Sequence, residues 1–324
     1  MIIYLSNGNG DIVMATPSLK LLAKSHNLLV ILKYPFQKEI LQNAGIECDI
    51  LYLPSRSVAS IAKLYIAIFK MWLKDRSRAF YAPMMPESTF SSIFLKLLPC
   101  KTVVSNGMGW PKGMQMSDLS DLHQVREVAA FFARAGKLSL TTNINELEYR
   151  DVTVNSTTSK TIAIGITCGA AEKHKIPTPA KFAHLINFIH KKDPEYKFLV
   201  PFLSSERAWF EELKDSVEDS SCLVSIVDEP FDKLVEALSK CRFGISGTTG
   251  HGHIFAYVGL PVVCFSGVAD YAKSGPFTKK IYPVELNLPC APCYQNSFGL
   301  GCGRKDCMEM IDLTIAEQHI ETLI

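Results

Sequence analysis

The sequence predicts an α/β fold built from two Rossmann-like domains, each a doubly wound parallel sheet. Its 324 residues suffice for about two domains at roughly 100–200 residues each. Short apolar runs alternate with helical patterns in both halves of the chain, which is typical of parallel strands joined by helices. With 48% hydrophobic and 20% charged residues, the composition excludes collagen-like, coiled-coil and disordered chains.

The expected elements follow the order that a doubly wound sheet requires, and the pattern occurs twice. Strands are expected at 2–5, 28–32, 50–53, 79–81, 102–104, 161–167, 197–202, 223–227, 243–246 and 261–265, and helices at 16–24, 36–44, 57–75, 179–191, 206–217, 231–240 and 253–258. The polar segment 143–160 shows neither the helical nor the strand periodicity of apolar residues, so we place the boundary between the two domains there. We therefore predict an N-terminal domain, 1–155, and a C-terminal domain, 156–324, which face each other across a cleft.

Charge is distributed unevenly between the two halves. Residues 1–150 contain 17 Lys and Arg against 11 Asp and Glu, whereas the rest of the chain contains 17 against 21. No run is basic enough to neutralise many phosphates, which argues against a nucleic-acid-binding protein. A basic first half suits an anionic ligand or an anionic membrane face, although solvated lysines without a partner explain it equally well.

Nothing in the sequence predicts export or a membrane span. The first residues lack a basic leader and include Asp11. The longest apolar stretch, 64–73, is interrupted by Lys70 and falls short of the roughly 20 residues that a span needs. We expect a cytoplasmic protein, with at most peripheral contact with the inner face of the membrane. The helix at 57–75 has lysines opposite its apolar face, and it either touches an anionic membrane or packs with a solvated back.

Gly8-Asn9-Gly10-Asp11, between the first expected strand and helix, is the first candidate site. Glycines there let backbone N–H groups approach a ligand at a helix N-terminus, where negative charge is favoured. Val13 replaces the third glycine of a dinucleotide fingerprint, and Lys33 stands near the usual position of the ribose-binding acid. Both substitutions argue against an NAD-dependent dehydrogenase. Asp11 is either a general base or a helix cap.

A second candidate site lies in the loop Ser246–His253, between an expected strand and helix of the second half. Its hydroxyls and backbone N–H groups suit an anion of phosphate size, and His253 lies in the first helical turn. Lys175 follows the first strand of this half and can reach a diphosphate as a point charge. Lys173 is an equally placed competitor.

Cys290, Cys293, Cys302 and Cys307 form a C-x2-C-x8-C-x4-C pattern near the end of the chain. In the glycine-rich loop 290–307, four thiolates can close around one tetrahedral metal ion, with zinc as the default and iron as the alternative. A disulfide pair or plain thiols are the competing interpretations.

Four motifs are decisive when they are taken together. They are the G-x-G-D opening with Ala15-Thr16-Pro17; Cys168-Gly169-Ala170 with Lys175 and Phe182; Thr248–His253 with Ala256, Gly259 and Pro261-Val262-Val263; and Cys290–Tyr294 with Cys307-Met308. In this order, over nearly the whole chain, they resemble the glycosyltransferase family 9 enzymes, the ADP-heptose:lipopolysaccharide heptosyltransferases. The resemblance implies a GT-B fold, an N-terminal acceptor domain, a C-terminal donor domain, and inverting transfer of a heptose from ADP without a metal ion.

The resemblance also implies roles for individual residues. Asp11 would deprotonate the acceptor hydroxyl, with Asn9 and Gly10 beside it in the acceptor loop. Lys175 would hold the donor diphosphate, and Glu206 is a weaker match to the acid that binds the nucleoside. The phosphate and sugar pocket would be lined by Thr248, Thr249, Gly250 and His253, with Thr167 nearby. The implied partners are a nucleotide-sugar donor and an anionic glycan such as lipopolysaccharide core, and zinc or iron would have only a structural role.

Thr248 stands where the family usually has Asp. That acid is expected to contact the sugar hydroxyls, so the donor is ADP-heptose or another nucleotide-activated sugar. The cysteine spacing resembles that of autotransporter heptosyltransferases, which bind iron and modify proteins, so a protein acceptor is the alternative to a cell-envelope glycan. A non-catalytic protein that binds a nucleotide sugar or a metal is the alternative of another class.

Overall fold

The computed structural model describes residues 1–5, 7–55, 57–85, 89–104, 122–138, 147, 149, 158–293 and 305–324. Contacts divide the chain into Met1–Leu147 and Glu148–Ile324, called unit 1 and unit 2 below. The boundary predicted at 155 falls within 150–157, outside the described residues. Each unit contains one parallel sheet with helices packed against it, as expected for a doubly wound α/β chain.

Unit 1 is built on a five-stranded parallel sheet. Its strands are β1 (Ile2–Tyr4), β2 (Leu29–Leu32), β3 (Asp49–Tyr52), β4 (Ala79–Ala82) and β5 (Lys101–Val104), and its helices are α1 (Asn9–Ala23), α2 (Pro35–Asn43), α3 (Val58–Lys74), α4 (Thr89–Leu97) and α5 (Gln124–Arg134). The strand order is β3-β2-β1-β4-β5. The direction of winding reverses between β1 and β4, and such a reversal is where open α/β sheets bind ligands.

The two faces of this sheet are covered by different helices. Phe80 of β4 belongs to the core beneath α3 and α4, and its ring centroid lies 5.9 Å from that of Phe94 in α4. Tyr81, the next residue, points to the opposite face and lies 6.5 and 6.0 Å from Phe131 and Phe132 of α5. Because strand side chains alternate between faces, α3 and α4 share one side of the sheet. The other side holds α5 together with α1, which contacts it.

Helix α1 begins at Asn9 rather than at the predicted Thr16, so the glycine-rich loop is shorter than expected. Asn9, Gly10 and Asp11 form its first turn. The carboxylate Oδ2 of Asp11 accepts a hydrogen bond from the backbone N–H of Gly8 at 2.9 Å. This contact satisfies one of the N–H groups that a helix start leaves without a partner, and it explains why a glycine-containing turn becomes helical.

Pro17 lies inside α1 without ending it. A proline has no N–H, so the carbonyl of Val13, one turn earlier, loses its helical donor. The hydroxyl of Thr16 donates to that carbonyl instead, with Oγ1 2.8 Å from the oxygen. The Thr-Pro pair therefore compensates locally for the missing helical hydrogen bond.

Unit 2 is built on a six-stranded parallel sheet. Its strands are β6 (Thr161–Gly165), β7 (Lys197–Phe202), β8 (Leu223–Val227), β9 (Gly244–Gly247), β10 (Val262–Ser266) and β11 (Ile281–Glu285), and its α-helices are α6 (Pro179–Lys192), α7 (Arg207–Ser216), α8 (Phe231–Leu238), α9 (Gly250–Val258), α10 (Tyr271–Ser274), α11 (Asp306–Glu309) and α12 (Leu313–Glu321). The strand order is β11-β10-β9-β6-β7-β8, and the winding reverses between β6 and β9.

The sequence pattern predicts neither β11 nor α12. Strand β11 lies at the sheet edge, pairs with β10, and carries Pro283 opposite Cys264. Proline is tolerated on an edge strand because its missing N–H faces away from the ladder. Only Val284 of β11 is buried, so the strand lacks the continuous apolar run that identifies the central strands. Helix α12 packs against it and buries Ala316 and Ile320.

A buried amide, Gln37 of α2, ties together three loops of unit 1. Its Oε1 accepts hydrogen bonds from the N–H groups of Lys33 (2.8 Å) and Tyr34 (3.2 Å), and its Nε2 donates to the carbonyl of Asn7 (2.8 Å). The amide of Asn7 in turn donates to the carbonyl of Met84 at 2.8 Å. The segments that follow β1, β2 and β4 are therefore held by one polar network beside the start of α1.

Replacing Gln37 with Met should destabilise unit 1 by about 2–3 kcal/mol, because two N–H groups and one carbonyl would lose their buried partner. Urea denaturation followed by circular dichroism measures the loss. Gln42→Met is the matched control, since Gln42 lies exposed on the same helix; its effect should stay within about 0.5 kcal/mol. Equal effects of the two changes would contradict the role given to Gln37.

Candidate functional site

The carboxyl edge of the unit 2 sheet brings together the predicted site residues of this unit. The segment after β6 carries Thr167 and leads into a 3-10 helix, Ala170–Lys175. Glu206 follows β7, and Thr248 and Thr249 follow β9. Since β6 lies between β9 and β7 in the sheet, the three segments are neighbours. This edge, at the reversal of winding, is the position where such sheets bind ligands.

Two threonine hydroxyls are buried without a partner at the start of α9. Thr248 is 4% exposed and Thr249 is 3% exposed. In the part of the chain that the structure describes, neither Oγ1 atom has a hydrogen-bond partner. A buried hydroxyl without a partner costs about 1–3 kcal/mol, so a ligand oxygen here would recover that cost. Helix α9 begins at Gly250 and carries the buried His253 in its first turn, and its N-terminal N–H groups favour an anion.

Lys175 is held against this loop by a backbone contact. A Cβ placed on Gly247 would lie 2.6 Å from the carbonyl oxygen of Lys175, so the two segments touch only because residue 247 is glycine. The buried Lys175 ammonium lies 2.5 Å from Oε1 of Glu172. Lys173, by contrast, is exposed and places its Nζ 5.6 Å from the ring centroid of Trp209. Of the two lysines, Lys175 is the buried one and the one whose backbone contacts this loop; its role as the cation of the site stays a prediction.

Thr167 and Glu206 contact each other directly. The hydroxyl of Thr167 donates to Oε2 of Glu206 at 3.0 Å, and the N–H of Leu203 donates to the same oxygen at 3.0 Å. His251, in the first turn of α9, places Nδ1 3.5 Å from Oγ1 and 3.4 Å from the carbonyl oxygen of Thr167. Sequence reasoning singled out His253 in this turn and missed His251.

Room for His251 depends on a glycine in the sheet. A Cβ on Gly165 would lie 2.5 Å from the Cβ of His251, and this contact distinguishes the two histidines of the turn. Burial lowers the pKa of His251 from its ordinary value of 6.5, while the carboxylate of Glu206 and the carbonyl of Thr167 act in the opposite direction. Burial therefore favours the neutral ring, which has one donor and one acceptor nitrogen.

The thiol of Cys168, next to Thr167, has a raised pKa. Burial raises it to about 12, the carboxylates of Glu172 and Glu206 contribute in the same direction, and the ammonium groups of Lys175 and Lys173 act in the opposite direction. At neutral pH this thiol is protonated, which makes it a poor nucleophile.

Sequence reasoning also missed Asp228, which follows β8. Its φ of +51° lies in the left-handed region, which is uncommon for a residue other than glycine. Asp228 accepts hydrogen bonds from the N–H (2.9 Å) and the hydroxyl of Ser204, and these contacts lower the pKa of its carboxyl group. Asp228 and Glu206 thus hold the turn after β7 from two sides.

In unit 1, Asp11 lies where the winding of the sheet reverses. Its hydrogen bond to the N–H of Gly8 makes it part of the helix cap, one of its two predicted roles. A carboxylate accepts several hydrogen bonds, so capping leaves the general-base role open. Asn9, two residues earlier, has a buried Oδ1 that finds no hydrogen-bond partner among the described residues.

The structure describes three of the four cysteines proposed as metal ligands. The backbone N–H of Cys293 donates to the carbonyl of Val268 at 3.0 Å, and a Cβ on Gly267 would lie 3.1 Å from Sγ of Cys307. Within the described ranges, no three His, Cys, Asp or Glu side chains are gathered in a metal-binding group. Cys290 is exposed, and Cys302 lies outside the described residues. The four-cysteine site stays a prediction, and we assign no chemistry to a metal.

Glycosyltransferases are among the solved structures with a similar fold. E. coli ADP-heptose lps heptosyltransferase II matches with a TM-score of 0.69 at 13% identity, over 99% of this chain and 97% of that one. E. coli heptosyltransferase WaaC with ADP matches with a TM-score of 0.66 at 12% identity, over 100% of this chain and 99% of that one. A glycosyl transferase family 9 protein from Veillonella parvula matches with a TM-score of 0.65 at 15% identity, over 87% of this chain and 84% of that one. This chain has their fold.

These comparisons confirm the predicted GT-B class and, at the level of the fold, the resemblance to glycosyltransferase family 9. No protein-family model and no curated protein sequence matches the chain. At 12–15% identity the likeness concerns the fold, and the roles of individual residues depend on the site geometry above.

His251 should make the stability of unit 2 depend on pH. Its pKa is lowered in the folded state, so the unfolded chain binds more protons below about pH 6.5, and stability falls as the pH drops through that value. In urea denaturation between about pH 5 and 8, the free energy of unfolding should depend less steeply on pH for His251→Leu than for the wild type. Identical slopes would contradict a His251 that is kept neutral by its partly buried position.

Proposed function

We propose that the protein is an inverting glycosyltransferase that moves a heptose from an ADP-activated donor to a hydroxyl of a cell-envelope glycan, such as lipopolysaccharide core. The observation that carries this proposal is the edge of the unit 2 sheet, where two buried hydroxyls without a partner among the described residues lie at a helix N-terminus and the backbone of the buried Lys175 touches the same loop. Those groups suit a diphosphate. The similar fold of a heptosyltransferase solved with ADP supports the choice of nucleotide.

The diphosphate end of the donor would lie against Thr248, Thr249 and the start of α9, with Lys175 beside it. His253, buried in the same turn, would donate a hydrogen bond to a phosphate oxygen. When the glycosidic bond breaks, negative charge grows on the departing diphosphate, and preorganised donors and a cation stabilise it. This set can neutralise the leaving group without a divalent cation, so we propose metal-independent transfer.

The nucleoside end would lie on the Glu206 side of the site. An ionised carboxylate accepts hydrogen bonds and donates none, so Glu206 is suited to bind the hydroxyl groups of a ribose. Its position is fixed by Thr167 and by the N–H of Leu203. Asp228 fixes the same turn through Ser204. A turn held in this way loses little conformational entropy when a nucleoside binds, which favours affinity.

In unit 1, Asp11 would act as general base, with Asn9 and Gly10 beside the acceptor. Asp11 takes the proton of the acceptor hydroxyl as the oxygen attacks the anomeric carbon. The bond from that carbon to the β-phosphate oxygen breaks, its electron pair leaves with ADP, and the configuration at the anomeric carbon inverts. Thr248 gives the donor loop a hydroxyl in place of a carboxylate, so the donor sugar is best established by comparing several nucleotide sugars.

Lys175→Met should weaken ADP binding at least about tenfold, because a desolvated cation next to a diphosphate contributes more than about 1.4 kcal/mol. Isothermal titration calorimetry measures the dissociation constant. Lys173→Met is the matched control, since Lys173 lies two residues away but is exposed, and it should bind ADP within about twofold of the wild type. If both variants bind ADP like the wild type, Lys175 does not contact the diphosphate.

Asp11→Asn should lower the transfer rate about 10²–10⁴-fold, the usual contribution of a general base. Asn keeps an oxygen that can accept from the N–H of Gly8, so the helix cap is retained. Transfer from ADP-heptose to lipopolysaccharide core is followed by release of ADP, and ADP affinity should stay unchanged. Asp49→Asn, at an exposed carboxylate of the same unit, is the control. Full activity of the Asp11 variant would remove this residue from the role of base.

A further inference from the structure

The outward side of α3 carries large apolar side chains. Ile66 is 51% exposed, Phe69 38% and Leu73 50%. Spacings of three and four residues place them on one face of the helix, opposite Leu64 and Ile68, which are buried against the sheet. Monomeric proteins rarely leave contiguous apolar surface exposed without a use. The expected solvated back of this helix is therefore partly apolar.

Helix α4 extends the same kind of surface. Ile93 is 53% exposed and Leu97 is 62% exposed, one helical turn apart, and Lys96 lies exposed between them. Both α3 and α4 cover the same face of the unit 1 sheet, so their outward sides face the same way. Together these outward sides form what we call the α3–α4 surface.

Positive charge accompanies the apolar side chains and is not balanced. Helices α3 and α4 contain Lys63, Lys70, Lys74 and Lys96 and no Asp or Glu. None of the four lysines forms an ion pair with any described residue. Some lysines of unit 2 do form such pairs.

On α6, Lys191 pairs with Glu218 and Lys192 with Glu321. On α8, Lys233 pairs with Glu236. Other exposed lysines of unit 1, such as Lys20 and Lys24, also form no ion pair with a described residue. The α3–α4 surface differs from theirs because its lysines stand beside exposed apolar side chains on two helices without Asp or Glu. The counter-charge of these four lysines has to come from solvent or from an anionic partner.

We infer that the α3–α4 surface docks unit 1 onto an anionic lipid membrane. Apolar side chains next to lysines are the pattern of a helix that lies in the membrane interface, with the apolar groups in the acyl boundary and the lysines at the headgroups. Trp72, whose ring centroid lies 4.9 Å from Cζ of Arg76, suits the same interface. In the described ranges, no helix has the length and hydropathy to cross a bilayer, so the membrane is contacted from one side.

A second copy of the chain fits this surface less well. A twofold-symmetric interface places the same patch on both partners, so it would bring the unpaired lysines of one copy next to those of the other. Anionic headgroups supply the opposite charge instead. The inference uses unit 1 alone and does not depend on the proposed transferase activity, because vesicle binding requires neither donor nor acceptor.

Vesicle flotation of the full chain tests the inference. The wild type should bind vesicles made of equal parts phosphatidylcholine and phosphatidylglycerol. Its binding to vesicles of phosphatidylcholine alone should be at least about tenfold weaker, and high salt should weaken its binding to the anionic vesicles. Lys70→Glu combined with Lys74→Glu should reduce binding to the anionic vesicles at least about tenfold. Ile66→Ser combined with Leu73→Ser should reduce it as well, because the inserted apolar area is lost.

Lys20→Glu combined with Lys24→Glu is the matched control. These lysines are exposed and also four residues apart; Lys20 lies on α1, at the opposite face of the sheet, and Lys24 is the residue that caps its C-terminus. The net charge therefore changes equally, while binding should be retained. Urea denaturation checks that every variant folds. Equal losses for the two lysine pairs, equal binding to both kinds of vesicle, or no binding at all would overturn the inference. A dimer in sedimentation velocity that Ile66→Ser with Leu73→Ser abolishes would also overturn it, since the surface would then join two copies.

Discussion

The site in unit 2 depends on how closely α9 and the 3-10 helix approach the sheet, and three glycines permit that approach. A Cβ on Gly165, Gly244 or Gly247 would lie 2.4 to 2.6 Å from His251, Phe255 or the carbonyl of Lys175. Real Cβ atoms are not found at such distances from other heavy atoms, so any side chain here would push the helix or the loop away. The glycines thus bring the N-terminus of α9, the Lys175 backbone and the end of β6 to one place.

Under the proposed function, the site has a diphosphate end and a nucleoside end. Lys175, which is paired with Glu172, and the N–H groups at the start of α9 would bind the diphosphate, and Glu206, held by Thr167, would accept hydrogen bonds from the ribose. Burial opposes a charge on His251, so its ring would act there as a neutral hydrogen-bonding group. The hydroxyls of Thr248 and Thr249, which have no partner among the described residues, are a cost to the folded chain that a bound anion would remove. Ligand binding would thereby stabilise unit 2.

The central strands were predictable from sequence because fully buried strands of a parallel sheet need continuous apolar runs. Edge strand β11 could not be predicted from the sequence, because Pro283 and its half-buried neighbours leave no continuous apolar run. The start of α1 was placed too late because glycines weaken helix propensity, while the Asp11 contact that offsets this effect is visible only in three dimensions. The sequence also could not distinguish Lys175 from Lys173, or His251 from His253, because the two members of each pair lie two residues apart in the same loop or helical turn. The structure distinguishes them, since Lys175 contacts Gly247 and His251 contacts Gly165.

On the sequence alone, the excess of positive charge in the first half of the chain fits an anionic ligand, an anionic membrane or solvated lysines. The structure locates four lysines that form no ion pair with a described residue on the outward sides of α3 and α4 rather than at the carboxyl edge of the sheet, where Asp11 lies. Net charge therefore says little about the acceptor that we propose for Asp11, because those lysines belong to a different surface. If that surface rests on lipid, an acceptor glycan carried by a lipid would be concentrated near unit 1 by shared attachment to the membrane. The local concentration of acceptor then rises without any contact to the glycan itself, and the Asp11 region has to recognise only the hydroxyl that reacts.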